Sequence, residues 1–135
     1  MERQKKVIDA SVLTKWFLEE KDSEKARLLR EEHITGRSLI IIPELAYLEV
    51  LNALRFKKGT DEELRLASKI LFDLNLKIEK LNQKILENTS DNAIKHNLTI
   101  YDSIYLSIAE LHGIPLVTAD SDLLKIPNTI SLEKI

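Results

Sequence analysis

Ser38-Leu-Ile-Ile-Ile42 is an unbroken apolar, β-branched run. A strand with one wet face alternates apolar and polar residues; this one does not, so both of its faces must be covered, as in a parallel sheet. The rest of the chain supplies the cover. Val7-Ile8 and its neighbours read as a short strand ending at Asp9. Ser11–Leu18 follows as a helix with Val12, Leu13, Trp16 and Phe17 on its buried side. Ser23 caps a second helix that runs through Glu32 and ends near Gly36. Pro43 suits the first position of the next helix, which Gly59 closes. Thr60-x-x-Glu63 is a capping box for a fourth helix carrying Leu64, Ala67, Ile70 and Leu71. Leu74, Leu76 and Ile78 alternate with polar residues at strand period. Asn82 caps a helix to about Asn97. Another helix, Ser103–His112, follows Asp102 and stops at Gly113. Leu116–Thr118 and Thr129–Leu132 are the last strands. Strands alternate with helices throughout, so the expected class is α/β, with a mainly parallel sheet of four to five strands covered by helices on both faces.

The chain has 135 residues, which suits one domain over 1–135, with no linker or repeat. It has no cysteine, excluding a disulfide scaffold, a zinc–thiolate or iron–sulfur centre and a Cys nucleophile, and suiting a reducing cytoplasm. No apolar run approaches the roughly 20 residues that cross a bilayer. The charged start leads only into Val7-Ile8, so no signal peptide is expected. With 20 basic against 22 acidic residues the net charge is −2, which argues against a non-specific nucleic-acid coat; any nucleic-acid contact must be local.

In open parallel sheets, ligands bind outside the carboxyl ends of the strands. Asp9 follows the first strand and Asp120 follows Leu116–Thr118. Glu49 lies about two turns into the helix after Ser38–Ile42, and Asp102 begins a helix that feeds the late strand. Such carboxylates raise one another's pKa unless a cation sits among them. Oxygen-only ligands favour a hard ion, Mg²⁺ or Mn²⁺. Each acid also has an ordinary explanation. Asp9 and Asp102 suit helix caps, and Asp120, in Ala119-Asp-Ser-Asp122, suits a turn. Glu49 is harder to dismiss, because Leu45, Ala46, Ala53 and Phe56 flank it on an arc expected to face the core, where an unpartnered carboxylate is costly. Asn52 lies close enough to share its site. His33, His96 and His112 fall near helix ends, where a solvated or dipole-facing imidazole is the ordinary reading. Trp16, Phe17, Tyr47 and Phe56 read as core, or collectively as a groove or dimer surface. There is no Gly-rich phosphate loop and no G-x-S-x-G.

Taken together, Val7–Leu18 with Asp9, Pro43–Leu54 with Glu49 and Asn52, Tyr101-Asp102 to Glu110, and Pro115–Leu123 with Asp120 resemble, in order, the four motifs of PIN domains of the VapC toxin type. The resemblance implies a PIN-like three-layer α/β/α fold and a metal-dependent ribonuclease, usually the toxin of a toxin–antitoxin pair. It makes Asp9, Glu49, Asp102 and Asp120 the catalytic and metal-holding acids, with Asp122 a further ligand or a cap of its turn. Ser11 and Thr118 match small hydroxyl positions beside the metal. Met1–Lys6 lies outside the motifs as an N-terminal extension. The resemblance also implies a homodimer and a VapB-like antitoxin that reaches across the site. Lys15, Arg55, Lys57 and Lys58 lie on or beside the motif helices and are the candidates to rim the acids and meet RNA phosphates, with binding that weakens steeply as salt rises. The competing readings are a non-catalytic PIN-like module that holds RNA or protein, and another Mg²⁺-dependent phosphohydrolase. The latter needs a Lys at a corresponding strand end, and none is placed there.

Overall fold

In the computed structural model, which describes residues 3–57 and 59–135, the Ser38–Pro43 run is strand β2, and Ile40, Ile41 and Ile42 are each no more than 2% exposed. Its neighbours are β1 (Gln4–Ile8) and β3 (Lys77–Glu79), and β1 pairs in turn with β4 (Leu116–Thr118), which pairs with β5 (Thr129–Ser131). Every pairing is parallel, in the order β3-β2-β1-β4-β5. The helices are α1 (Ala10–Leu13), α2 (Ser23–Ile34), α3 (Leu45–Phe56), α4 (Asp61–Asp73), α5 (Gln83–His96), α6 (Ile100–His112) and α7 (Ser121–Leu124). On one face α6 lies over β1, β2 and β4 with α5 behind it; on the other lie α1, α2 and α3, with α4 packed on α3. This is the expected three-layer α/β/α arrangement.

The sandwiched position of α6 explains its composition. Ser103 through Ala109 are all buried, because the sheet covers one side and α5 the other. Its serines keep polar groups satisfied at that contact: Ser103 Oγ donates to the Thr89 carbonyl (2.6 Å), and Asn92 Nδ2 donates to Ser107 Oγ (3.1 Å). Gly113 ends α6 at φ +63°, a left-handed conformation that suits glycine.

Several boundaries differ from the sequence reading, each for a local reason. Gln4–Lys6, expected in an extension, begins β1 and pairs with Ser38–Ile40. Pro43 ends β2 opposite Glu79 instead of opening α3, which starts at Leu45. The first helix is only α1 plus a 3₁₀ turn, Thr14–Trp16; the tighter turn tucks Trp16 under α2, where its indole N–H donates to the Ala26 carbonyl (2.7 Å). Leu74 caps α4, which shortens β3. Thr99 Oγ1 accepts the Asp102 amide (3.0 Å), so α6 begins at Ile100 and Asp102 lies inside its first turn. The short α7 was not anticipated.

His33 is not solvated at a helix end but buried. Its Nδ1 accepts the Ile40 amide (3.1 Å) and its Nε2–H donates to the Leu74 carbonyl (2.9 Å), which requires the neutral ring. The imidazole thus ties α2 to β2 and to the end of α4. Replacing it by Leu strands a buried amide and a carbonyl. His33→Leu is expected to lower stability by about 2–4 kcal/mol, read as a lower urea midpoint at unchanged slope; an unmoved midpoint would contradict this role.

Candidate active site

The chain builds β1, β2 and β3 outward in one direction, then returns to place β4 and β5 on the other side of β1. The direction of winding reverses between β1 and β4, and the crevice outside their carboxyl ends is where such a sheet can admit a ligand. Asp9 leaves β1 at that point, and Thr118 ends β4 beside it.

Asp9 is 4% exposed and both of its oxygens are held. Ser11 Oγ donates to Oδ1 (2.6 Å) and Thr118 Oγ1 donates to Oδ2 (2.6 Å). Oδ1 also accepts the Val12 amide (3.3 Å), so Asp9 is a helix cap as well as a candidate site residue. The two hydroxyls are themselves fixed from the β4 side: Ser11 Oγ accepts the Ala119 amide (3.0 Å) and Thr118 Oγ1 accepts the Asp120 amide (2.9 Å). Asp120 caps α7 through Oδ1, which accepts the amides of Asp122 (2.9 Å) and Leu123 (3.1 Å).

Glu49 reaches the same region from α3. The buried stripe of that helix is Ala46, Val50 and Leu54, one residue round from the expected arc, and Phe56 is 76% exposed. Glu49 therefore sits half-buried at the stripe's edge. Tyr105, from α6, donates its phenol to Glu49 Oε1 at 2.5 Å. Tyr105 escaped the sequence reading, although it lies one turn after Asp102. Asn52 and Arg55 are exposed on α3. Asp122 is exposed and pairs with Lys125 (3.5 Å). Lys15 and Lys57 both pair with Glu20, at 3.5 Å and 2.5 Å. Those three residues line a cavity of about 430 Å³ together with Ser11, Glu49 and Ala119. Lys58 lies outside the described residues. A larger cavity, about 700 Å³, opens at the amino ends of β4 and β5, away from these acids.

The carboxyl groups perturb one another. Burial pushes Asp9 from 3.8 up to about 6, against the three hydrogen bonds it accepts, and the charge of Asp120 adds to the rise. Burial also raises Glu49, opposed by the Tyr105 hydrogen bond and reinforced by Asp102. Asp102 is raised by burial and by Asp120 and Asp122. Tyr105 is pushed up by burial and by Glu49, so it stays a neutral donor. Asp9, Glu49, Asp102 and Asp120 thus share one electrostatic neighbourhood although they come from four separate segments.

Among the described residues none of these four forms an ion pair, and no three His, Asp or Glu side chains are gathered closely around one point. Hydroxyls and amides take the oxygens of Asp9 and one oxygen each of Glu49 and Asp120. The donor chemistry nevertheless fits a hard divalent cation: the ligands are all oxygen, and the anionic groups repel one another without a basic partner.

A family profile described as the PIN domain matches residues 6–128. The chain belongs to the PIN domain family. It is similar to Ribonuclease VapC3 of Pyrobaculum aerophilum, 31% identical over 126 residues that span 88% of this chain and 92% of that protein. In structure this PIN domain resembles VapC20 of Mycobacterium tuberculosis, described as a sarcin–ricin loop cleaving toxin. The TM-score is 0.73 at 13% identity, covering 92% of this chain and 96% of that one. It also resembles a chain of VapBC2 from Rickettsia felis, bound to a fragment of its promoter DNA, with a TM-score of 0.68 at 17% identity, covering 95% and 97%. No helix among the described residues is long and apolar enough to cross a membrane.

The raised acids set the pH dependence of stability. The folded protein holds a proton on Asp9 that the unfolded chain releases, so this contribution is complete below about 4 and lost as pH rises through about 6, and Glu49 and Asp102 are raised in the same direction. Glu20, lowered chiefly by the Lys57 hydrogen bond, and Glu32, lowered by Ser38 and Lys6 against its burial, have the opposite sign and lose their stabilisation at acid pH. In EDTA the melting temperature of the unaltered chain relative to that of Asp9→Asn, which carries no titrating group there, is expected to rise as pH falls from about 7.5 to 5.5. A difference that stays constant over that range would contradict the assignment.

Proposed function

We propose that this PIN domain is an endoribonuclease that hydrolyses RNA phosphodiester bonds with Mg²⁺ or Mn²⁺, and that it is the toxin of a VapBC-type pair. The observation that carries this reading is the electrostatic linkage of four carboxyl groups from four segments, Glu49 with Asp102, Asp102 with Asp120 and Asp120 with Asp9, the last at the crevice between β1 and β4. The VapC3 ribonuclease, related over nearly the whole length, supplies the reaction class.

Asp9, Glu49, Asp102 and Asp120 would hold the cation. When bound, the divalent ion supplies charge that offsets the phosphodiester's own and acidifies the attacking water. The chain's own contribution is preorganisation. Ser11 and Thr118 fix both Asp9 oxygens, so that the carboxylate is already aimed before substrate arrives. Tyr105 does the same for Glu49. With a pKa near 6, Asp9 is ionised at neutral pH yet close enough to titration to feel any nearby charge. Asp122, exposed and turned to Lys125, is a weaker candidate ligand. An antitoxin and a second copy of this chain are the expected partners. The VapBC2 assembly supports the first, and the exposed Phe56 and Phe72, each 76% exposed, offer apolar surface for either.

Labelled RNA incubated with Mg²⁺ or Mn²⁺ should be cut, and EDTA should stop the reaction. Asp9→Asn and Asp102→Asn should fold, by circular dichroism, but cleave at least about 100-fold more slowly. Full activity of folded Asp9→Asn would overturn the site, and hydrolysis of a chromogenic phosphomonoester instead of RNA would favour a phosphatase.

A further inference from the structure

Glu20 lies in the loop between the Thr14–Trp16 turn and α2, and each of its carboxylate oxygens faces a different ammonium: Oε1 meets Lys15 at 3.5 Å and Oε2 meets Lys57 at 2.5 Å. Each lysine flanks an element that carries a candidate site residue. Lys15 follows α1, which bears Ser11, and Lys57 caps α3, which bears Glu49. All five residues line the same 430 Å³ cavity. A phosphodiester presents the same pattern as this carboxylate, one negative charge spread over two oxygens.

We propose that Lys15 and Lys57 form the seat for a backbone phosphate of the RNA, next to the acids, and that Glu20 occupies this seat in the free protein as an internal competitor. The inference rests on the ribonuclease reading above and assigns the point at which substrate is gripped. The Lys15 side chain is 14% exposed, so its stem is packed and its ammonium stays in place when Glu20 leaves; Lys57, at 48%, leaves the seat open to solvent. The Glu20 amide is held by Ser23 Oγ at 2.8 Å, so the exchange needs only a side-chain rotation of Glu20. The three groups together carry one net positive charge, enough to draw a phosphate toward a region that the neighbouring acids would otherwise make repulsive.

The test is fluorescence anisotropy with labelled single-stranded RNA in Mg²⁺, in an Asp102→Asn background that binds without cutting. E20Q should tighten binding about fivefold or more at low salt. Lys15→Ala and Lys57→Ala should each weaken it by a similar factor and flatten the log–log salt dependence by about 0.7, whereas Lys57→Arg should retain affinity. In the double Lys15→Ala, Lys57→Ala protein, E20Q should no longer tighten binding. Glu31→Gln, which removes a charge from the far end of α2, should have no effect in any background. If E20Q binds equally or more weakly, Glu20 merely positions the lysines and the competitor is refuted. If it tightens binding just as much without the lysines, only a diffuse field is at work and the seat is refuted. Melting curves confirm that each variant is folded. Should the otherwise unaltered chain cut RNA while these expectations fail, the inference falls alone; should it neither bind nor cut RNA, the ribonuclease reading falls first.

Discussion

The pair of hydroxyls that clasps Asp9 is the contact on which this molecule's organisation turns. Ser11 and Thr118 each donate to one carboxylate oxygen and each accept an amide from the chain leaving β4. One small network therefore locks the end of β1, the start of α1 and the end of β4 together at the place where the sheet reverses its winding. The crevice is held open and lined with polar groups by the same bonds that fix the fold. Asp9 and Thr118 are buried, so a slip of either would leave a donor or acceptor unpaired away from water.

That arrangement carries a cost. Holding the Asp9 carboxyl at a pKa near 6 means that its ionised form at neutral pH is disfavoured, relative to the unfolded chain, by about 3 kcal/mol. Glu49 and Asp102 lean the same way. The core has ample means to offset this: β2 is enclosed on both faces and α6 is buried around most of its circumference. A scaffold this closely packed can hold like charges near one another. On the proposed reading, stability lost at the site and affinity for a divalent ion would be two aspects of one electrostatic fact.

Much of this was legible in the residues. Three consecutive isoleucines required a strand covered on both sides, and the acids read as following strands, Asp9 and Asp120, do lie at the carboxyl ends of β1 and β4. Capping patterns such as Thr60-x-x-Glu63 placed helix starts, and that threonine indeed accepts the Glu63 amide. What remained hidden depends on contacts between residues remote in sequence. His33 looked like a helix-end imidazole until Leu74, 41 residues on, met its ring. Tyr105 and Glu49 are 56 residues apart, and neither side chain announces the other. Glu20 falls between the Ser11–Leu18 helix and the one that Ser23 was expected to cap, and only folding brings Lys15 and Lys57 to it. The position of Glu49 was misjudged by one step around α3, because an idealised wheel cannot know which stripe the neighbouring helices will cover.

The central claim is that burial and hydroxyl clamping hold Asp9 in an anionic cluster poised to accept a cation. Carbon-13 NMR of the Asp9 carboxyl, titrated with pH in EDTA and again with millimolar Mg²⁺, addresses it directly. The account expects a midpoint near 6 without metal and a fall of more than one unit with it. A midpoint near 4 that ignores Mg²⁺ would contradict it.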